Sequence, residues 1–427
     1  MKTKHRLFLA TCLLLTATLA CQSTTSEEIP TEVLIDEPAP TSIPSASSAP
    51  EIPTIPTPTL TPPLGLFPGK VAFTDTTGHL ALLDMLTGEI TPLTEGDGAA
   101  AFGAHPLWSA DGSQFVYGFW NAAIGGGGLA ILDATSGERR VILDGFSLQT
   151  SDFNYALSPD GSFLIYDTWQ DIGEFNGDDV WRLDVNSGER TLLTANQDFE
   201  SSDHSALSPD GMRVAYKLGY DIWVMNADGS GKISLTPDDE YYWEEFSPAW
   251  SPDSARVAFF RSYHPCPPDY CTLPDPTDGT RGWPPGLWVA NANGSGQELI
   301  AELQLDEMRY PEYIWLSWSP DGRYLAYPLG SELRMVEVAT GEVRTVMTVP
   351  TENLYFPTWS PDSRALMVNY DEWDGESVHF TVYIAAVDGS GVWTLFDGTV
   401  IWSDPYTGSG IWTLFSPIGG YKAAWSP

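Results

Sequence analysis

The sequence predicts an all-β fold: a seven-bladed β-propeller of four-stranded antiparallel blades, the first blade closed by the C-terminal strand. Three observations predict it. A Ser-Pro-Asp-Gly type turn follows an apolar residue at seven places, and a second, Gly-containing turn between two apolar runs also occurs seven times. The chain then stops at "YKAAWSP", three residues into its own repeat. Such self-similarity at a period of tens of residues marks a repeat architecture.

The first turn is "LWSADG" at 107–112 and then has anchor serines at Ser158, Ser208, Ser251, Ser319, Ser360 and Ser426. Proline presets φ at its first central position, Asp suits the second, and Gly takes the left-handed conformation that completes a short hairpin loop. Ser254 and Ser363 replace that Gly, so two turns are expected to be strained or differently closed. The second turn recurs as "LLDMLTGEITPLT", "RLDVNSGERTLLT", "WVMNADGSGKISLT" and four relatives. Flanking segments such as "RVAY" and "DIWVMN" are short, β-branched and aromatic, as strands are. Each unit therefore reads as strands A to D, and units spaced 41–68 residues apart read as propeller blades.

The two ends explain one another. "FPGKVAFTDTTGHLALLDMLTGEITPLT" supplies strands B, C and D but no A strand, and "YKAAWSP" is an A strand without successors. Joined, "AAWSP" and "GKVAF" reproduce the internal "AWSPDSARVAF". Sharing one blade between the termini leaves no open sheet edge at the seam. The last insertion, near 397–420, carries "GIWTLF", a near copy of the earlier "GVWTLF", and either copy fits the outer strand of its blade.

The cadence "SPDG…VAY…IWVMNADGSG…LT", fullest in residues 207–236, resembles the TolB-like family of propeller repeats, and the likeness runs over residues 67–427. That resemblance implies the fold firmly and the function loosely. Propellers of this kind serve as protein-docking domains, as partner domains of serine peptidases, and in places as lyases.

Residues before the propeller read differently. Lys2, Lys4 and Arg6 precede the apolar run "LFLATCLLLTATLA", too short to span a bilayer comfortably. "TLAC" then resembles a bacterial lipoprotein signal. It implies residues 1–20 as signal and Cys21 as the lipidated residue, although Thr18 stands where Leu is usual; ordinary secretion or a retained anchor is the alternative. The expected localisation is exported and lipid-anchored to the bacterial cell membrane or outer membrane. Residues 22–66 are rich in Pro, Ser, Thr and Glu, with no apolar periodicity. With Cys21 they form a solvated tether reaching about 140 Å at most.

Cys266 and Cys271 in "HPCPPDYC" read as a local disulfide in an exported chain, with a metal site using His264 and Asp269 as the alternative. The net charge is −37. Such a surface disfavours nucleic acid and anionic lipid, and no nucleic-acid partner is expected.

Because strands alternate, A–B and C–D turns share one face, and the B–C and D–A connections share the other. The long insertions all fall on the second face, including 118–128, 167–179, 238–246, 261–286, 304–313 and 370–377. They carry Trp120, Trp169, Tyr242, Trp243, Glu244, Tyr313 and Trp373, residue types that anchor protein contacts or stack on sugars, or that simply pack loops on blades. The carboxylates suit a cationic partner or Ca²⁺; no other cofactor is expected. Counting four residues back from each anchor serine gives a ring at the channel mouth: His105, Asn154, His204, Ser247, Trp315, Phe356 and Lys422. With Asp152 and Asp203, the first three form a polar arc, either a ligand site or the wall of a water-filled channel.

No Gly-x-Ser-x-Gly elbow, zinc helix, phosphate loop or EF-hand loop occurs, and "GGGG" at 125–128 reads as a flexible loop. The sequence therefore points to a monomeric binding scaffold for an envelope protein. Glycan binding is second, and a metal-dependent polysaccharide lyase or hydrolase using His105 and His204 third; no catalytic residue is assigned.

Overall fold

The computed structural model describes residues 64–74, 80–93, 107–109, 112–121, 126–146, 155–171, 176–194, 202–237, 243–263, 284–303, 314–350, 354–373, 377–401 and 423–425. The chain divides into Met1–Pro53, which lies outside these residues, and Thr54–Pro427, which contains all of them. The second unit holds seven antiparallel four-stranded sheets and, among the described residues, no helix.

The shared blade is present. In blade 1 the strand Ala423–Trp425 lies beside Lys70–Thr74, followed by Leu80–Asp84 and Ile90–Pro92. Its register pairs Val71 with Trp425, Ala72 with Ala424 and Phe73 with Ala423. Seven buried apolar clusters fill the seven junctions between neighbouring blades. The junction between blades 7 and 1, with Val71, Phe73, Met367, Ile384 and Leu395, is as apolar as the others. Each sheet is covered on both faces by its neighbours, which is why the B and C strands read as near-continuous apolar runs.

The anchor serines explain their own recurrence. Ser208, Ser251 and Ser319 are buried, and each hydroxyl donates to the aspartate two residues on at 2.6 Å. Each also accepts the amide five residues on at 2.9 Å. A buried hydroxyl bonded both ways carries no desolvation penalty, whereas alanine would orphan the amide. The turn aspartates gain donors in exchange: hydrogen bonds from the Ser162 amide and from the Ser251 hydroxyl are the main reasons that Asp160 and Asp253 sit below the usual carboxylate range. Asp133 and Asp184 in the C–D turns are lowered likewise, chiefly by the amides of Ser136 and Ser187.

Both serines that replace the turn glycine are left-handed, with φ of 59° at Ser254 and at Ser363. The substitution adds a bond that glycine cannot make. Ser254 Oγ accepts the amide of Asp210 in the preceding blade at 3.0 Å, and Ser363 Oγ accepts that of Asp321 at 3.1 Å. Ser254→Ala keeps the unfavourable φ and loses the bond, so about 1–2 kcal/mol of stability should disappear. Ser254→Gly relieves the φ and should fall within roughly 0.5 kcal/mol of wild type, from opposing terms of similar size. Urea denaturation of both variants checks the pair; equal losses would show that the cross-blade bond alone matters.

Two expectations are corrected. Much of what reads as irregular insertion is extended hairpin: in blade 2, strand B (Gln114–Asn121) and strand C (Gly126–Asp133) pair to their tips, with Trp120 opposite Gly127 and Phe119 opposite Gly128. The glycine run is thus strand from Gly126 onward, its bare backbone facing aromatic partners across the pair. The choice between the two near copies also resolves. "VWTLF" lies in Val392–Ile401, the outer strand of blade 7, and "GIWTLF" lies outside the described residues.

Candidate functional site

The innermost strands of blades 4, 5 and 7 share a distortion at the ring read from the sequence. Register breaks between Asp203 and Ala206, between Phe246 and Ala249, and between Tyr355 and Thr358. Inside each break the residue four before the anchor serine is left-handed: His204 at 52°, Ser247 at 54° and Phe356 at 53°. Non-glycine residues in this region cost on the order of 1 kcal/mol each and persist only where their surroundings hold them. Such bulges re-aim side chains beside functional openings.

What holds them differs by blade. In blade 4 the next residue, Ser205, donates its amide to buried Asp167 of blade 3 at 2.8 Å. In blades 5 and 7 the next residue is Pro248 or Pro357, which has no amide to satisfy. The preceding blades there offer Lys217 and Pro328 at the position of Asp167, so acceptor and donor are present together or absent together. Pro follows the bulged residue in blades 5 and 7 only; blade 4 carries the same bulge without one.

Around this rim the side chains change character. His204 is half-buried on blade 4, and Ser247 of blade 5 is buried with its hydroxyl donating to the Ile314 carbonyl of blade 6. Trp315 and Phe356, half-buried on blades 6 and 7, meet with ring centroids 4.4 Å apart at 46°. Tyr355 lies 6.3 Å from Phe356, so one arc of the rim is an aromatic platform.

Two ion pairs lie on the inner strands of blades 4 and 5. Lys217, opposite Asp203 in the sheet of blade 4, bonds Glu244 of blade 5 at 2.8 Å with both side chains mostly shielded. Glu245 and Arg261 form a fully buried pair between opposed strands of blade 5. Glu245 also accepts the Thr236 hydroxyl at 3.1 Å and donates its amide to the Tyr220 carbonyl of blade 4 at 2.8 Å. The guanidinium lies 5.1 Å from the Trp288 ring. This group locks blade 4 to blade 5 directly beneath the rim.

The expected site residues distribute as follows. Asp203 stands opposite Lys217 in blade 4, whose ammonium pairs with Glu244 of blade 5; His204 is half-buried on blade 4, and Trp243 is buried at the start of the same strand as Glu244. Trp120, Trp169 and Trp373 lie on extended B strands, opposite Gly127, Asp178 and Val378. His105, Asp152, Asn154, Tyr242, Tyr313, Cys21, Cys266 and Cys271 lie outside the described residues. Among the described residues no three His, Cys, Asp or Glu side chains are grouped as a metal set. The Glu245–Arg261 pair and the Trp315–Phe356 contact were not anticipated as partners.

No family model matches this chain, and no curated protein matches it. Solved structures do resemble it. An oligogalacturonate lyase from Vibrio parahaemolyticus is 16% identical with a TM-score of 0.53, covering 78% of this chain and 91% of its own. An oligogalacturonate lyase in complex with manganese is 17% identical with a TM-score of 0.52, over 72% of this chain and 82% of that one. TolB from Acinetobacter baumannii is 15% identical with a TM-score of 0.43, over 82% and 79%. At these identities the likeness is one of fold.

Proposed function

We propose that this chain is a cell-envelope lipoprotein, lipidated at Cys21, whose propeller docks a protein partner through its loop-rich face. The observation that carries the reading is the rim. Three blades hold a left-handed, non-glycine residue at the same place, and on blades 6 and 7 Trp315 and Phe356 meet as an aromatic platform. Half-buried Trp and Phe on a rigid support are the residues from which hot spots are built. The overall charge of −37 favours a neutral or basic partner. Neighbouring ion pairs are already engaged with each other, which suits contact better than acid–base chemistry.

Glycan binding is the second reading, favoured by the same Trp315–Phe356 platform, since aromatic faces also stack on sugar rings. Full-length protein is used for both arms of the test: cross-linking capture from envelope extract, and a carbohydrate array. Docking predicts a captured protein whose affinity falls at least about 30-fold for Trp315→Ala, the loss of a hot-spot residue. Glycan binding abolished by Trp315→Ala would replace the first reading with the second. Capture unaffected by Trp315→Ala and by His204→Ala would remove the rim from the account.

A further inference from the structure

Blade 1 carries an exposed leucine at its C–D turn that its six relatives lack, beside an exposed Ile90 whose counterparts in blades 4 and 6, Ile233 and Val343, are less exposed at 39% and 40%. At the tip of the C–D turn the other blades place Thr135, Asn186, Asp228, Asn293, Ala339 or Asp388; blade 1 places Leu86, 58% exposed. Ile90, two residues beyond that turn, is 54% exposed. The segment entering the blade lies against the same turn. Gly65 donates its amide to the Met85 carbonyl at 2.8 Å, and Leu64 sits so close over Gly88 that a Cβ there would come within 2.7 Å of it. Leu64 and Leu66 are themselves 44% and 52% exposed. Four of the ten large exposed hydrophobic side chains among the described residues thus belong to one corner of one blade.

The corner's place on the fold is defined. Arg364, in the A–B turn of blade 7, donates to the Leu66 carbonyl at 2.9 Å and lies 5.8 Å from the Phe67 ring. The apolar side chains therefore lie at the edge of the turn face, opposite the loop-rich face. Aliphatic area of this kind, gathered on one spot of a highly charged surface, marks an interaction site.

We propose that this corner rests on the surface of a neutral lipid bilayer, so that the loop-rich face points away from the membrane toward its partner. The proposal rests on the lipid-anchor reading of Cys21. Only 42 residues separate Cys21 from Leu64, so an anchored chain holds the corner within reach of the bilayer at high effective concentration. Weak burial of four aliphatic side chains is then sufficient, where a free protein would not bind. The turn aspartates that share this face are ionised, which favours zwitterionic over anionic lipid.

The test uses the full chain, acylated in a bacterial host, in phosphatidylcholine vesicles and, for comparison, the unacylated Cys21→Ser chain in solution. Hydrogen exchange across 64–69 and 84–90 should slow by roughly an order of magnitude on the vesicles. It should return to the solution rate in acylated Leu64→Ser/Leu86→Ser, whose substitutions are exposed and leave the fold intact. The mass of the N-terminal peptide reports acylation independently. An unacylated N-terminus overturns the proposal together with the anchor it rests on. An acylated chain whose corner exchanges as fast as in solution overturns the orientation alone, as does protection that appears in the unacylated chain without vesicles, which would mark a second copy as the occupant.

Discussion

Trp318→Ala is expected to lose about 3–5 kcal/mol of folding stability. The tryptophans before three of the anchor serines, Ser251, Ser319 and Ser360, are rungs between blades. Trp250, Trp318 and Trp359 are buried, and their indole N–H groups donate to the carbonyls of Ala206, Ala249 and Ser317 in the preceding blade, at 2.9, 3.1 and 3.2 Å. The preceding blade also covers each ring. Arg213 lies 4.9 Å from Trp250, Arg256 lies 5.2 Å from Trp318, and Tyr324 stacks on Trp359 at 6.3 Å. Truncation therefore opens a cavity at the junction of blades 5 and 6, orphans a carbonyl and strips the arginine of its π partner. Trp318→Phe should cost only about 1–2 kcal/mol, since much of the packing survives and chiefly the hydrogen bond is lost. Equilibrium denaturation in urea measures both; an alanine variant as stable as wild type would show that the rung is decorative.

Glu245→Ala should cost a similar 3–5 kcal/mol, by a different route. Arg261 would remain buried beside the rings of Phe259 and Trp288 with its carboxylate partner gone. Thr236 would lose the acceptor of its hydroxyl in the same step. Replacing both partners, as in Glu245→Leu/Arg261→Leu, removes the orphaned charge and should recover most of the loss. The recovery separates an electrostatic origin from a packing one. A double variant no better than Glu245→Ala would point to packing, and partner binding at the rim should weaken in the single variant because the strand beneath Ser247 is no longer held.

The blade count, the strand order within each blade and the shared first blade were all legible in the sequence, because they are written in turns. A Pro-Asp-Gly tip dictates its backbone locally, so three such tips and their Ala-Asp-Gly and Pro-Asp-Ser relatives identify hairpins without knowledge of the rest. While His105, Asn154 and Lys422 lie outside the described residues, the places of His204, Ser247 and Phe356 on their inner strands were legible by counting from those tips. Their left-handed backbone was not, since nothing in a histidine or phenylalanine announces a positive φ. Cross-blade bonds were hidden for a related reason. Trp318 and Ala249 are 69 residues apart, and the acceptor is a backbone carbonyl that every residue possesses. Glu245 and Arg261 are opposed only once the strand register is known, and an acid followed sixteen residues later by a base is unremarkable in a linear text. The extended hairpins were missed because Trp120 and Gly127 look like loop residues until they face each other.

The closed ring itself is tested most directly by amide hydrogen exchange along Lys70–Thr74, in the full chain and in a chain lacking residues 421–427. With Ala423–Trp425 hydrogen-bonded beside it, this strand is interior, and its amides should exchange as slowly as those of Arg213–Leu218 in blade 4. Removing the C-terminal segment turns it into an edge, and those amides should then exchange at least about a hundredfold faster. Equal exchange in the two chains would mean that head and tail do not share a sheet, and the seven-bladed ring would have to be abandoned.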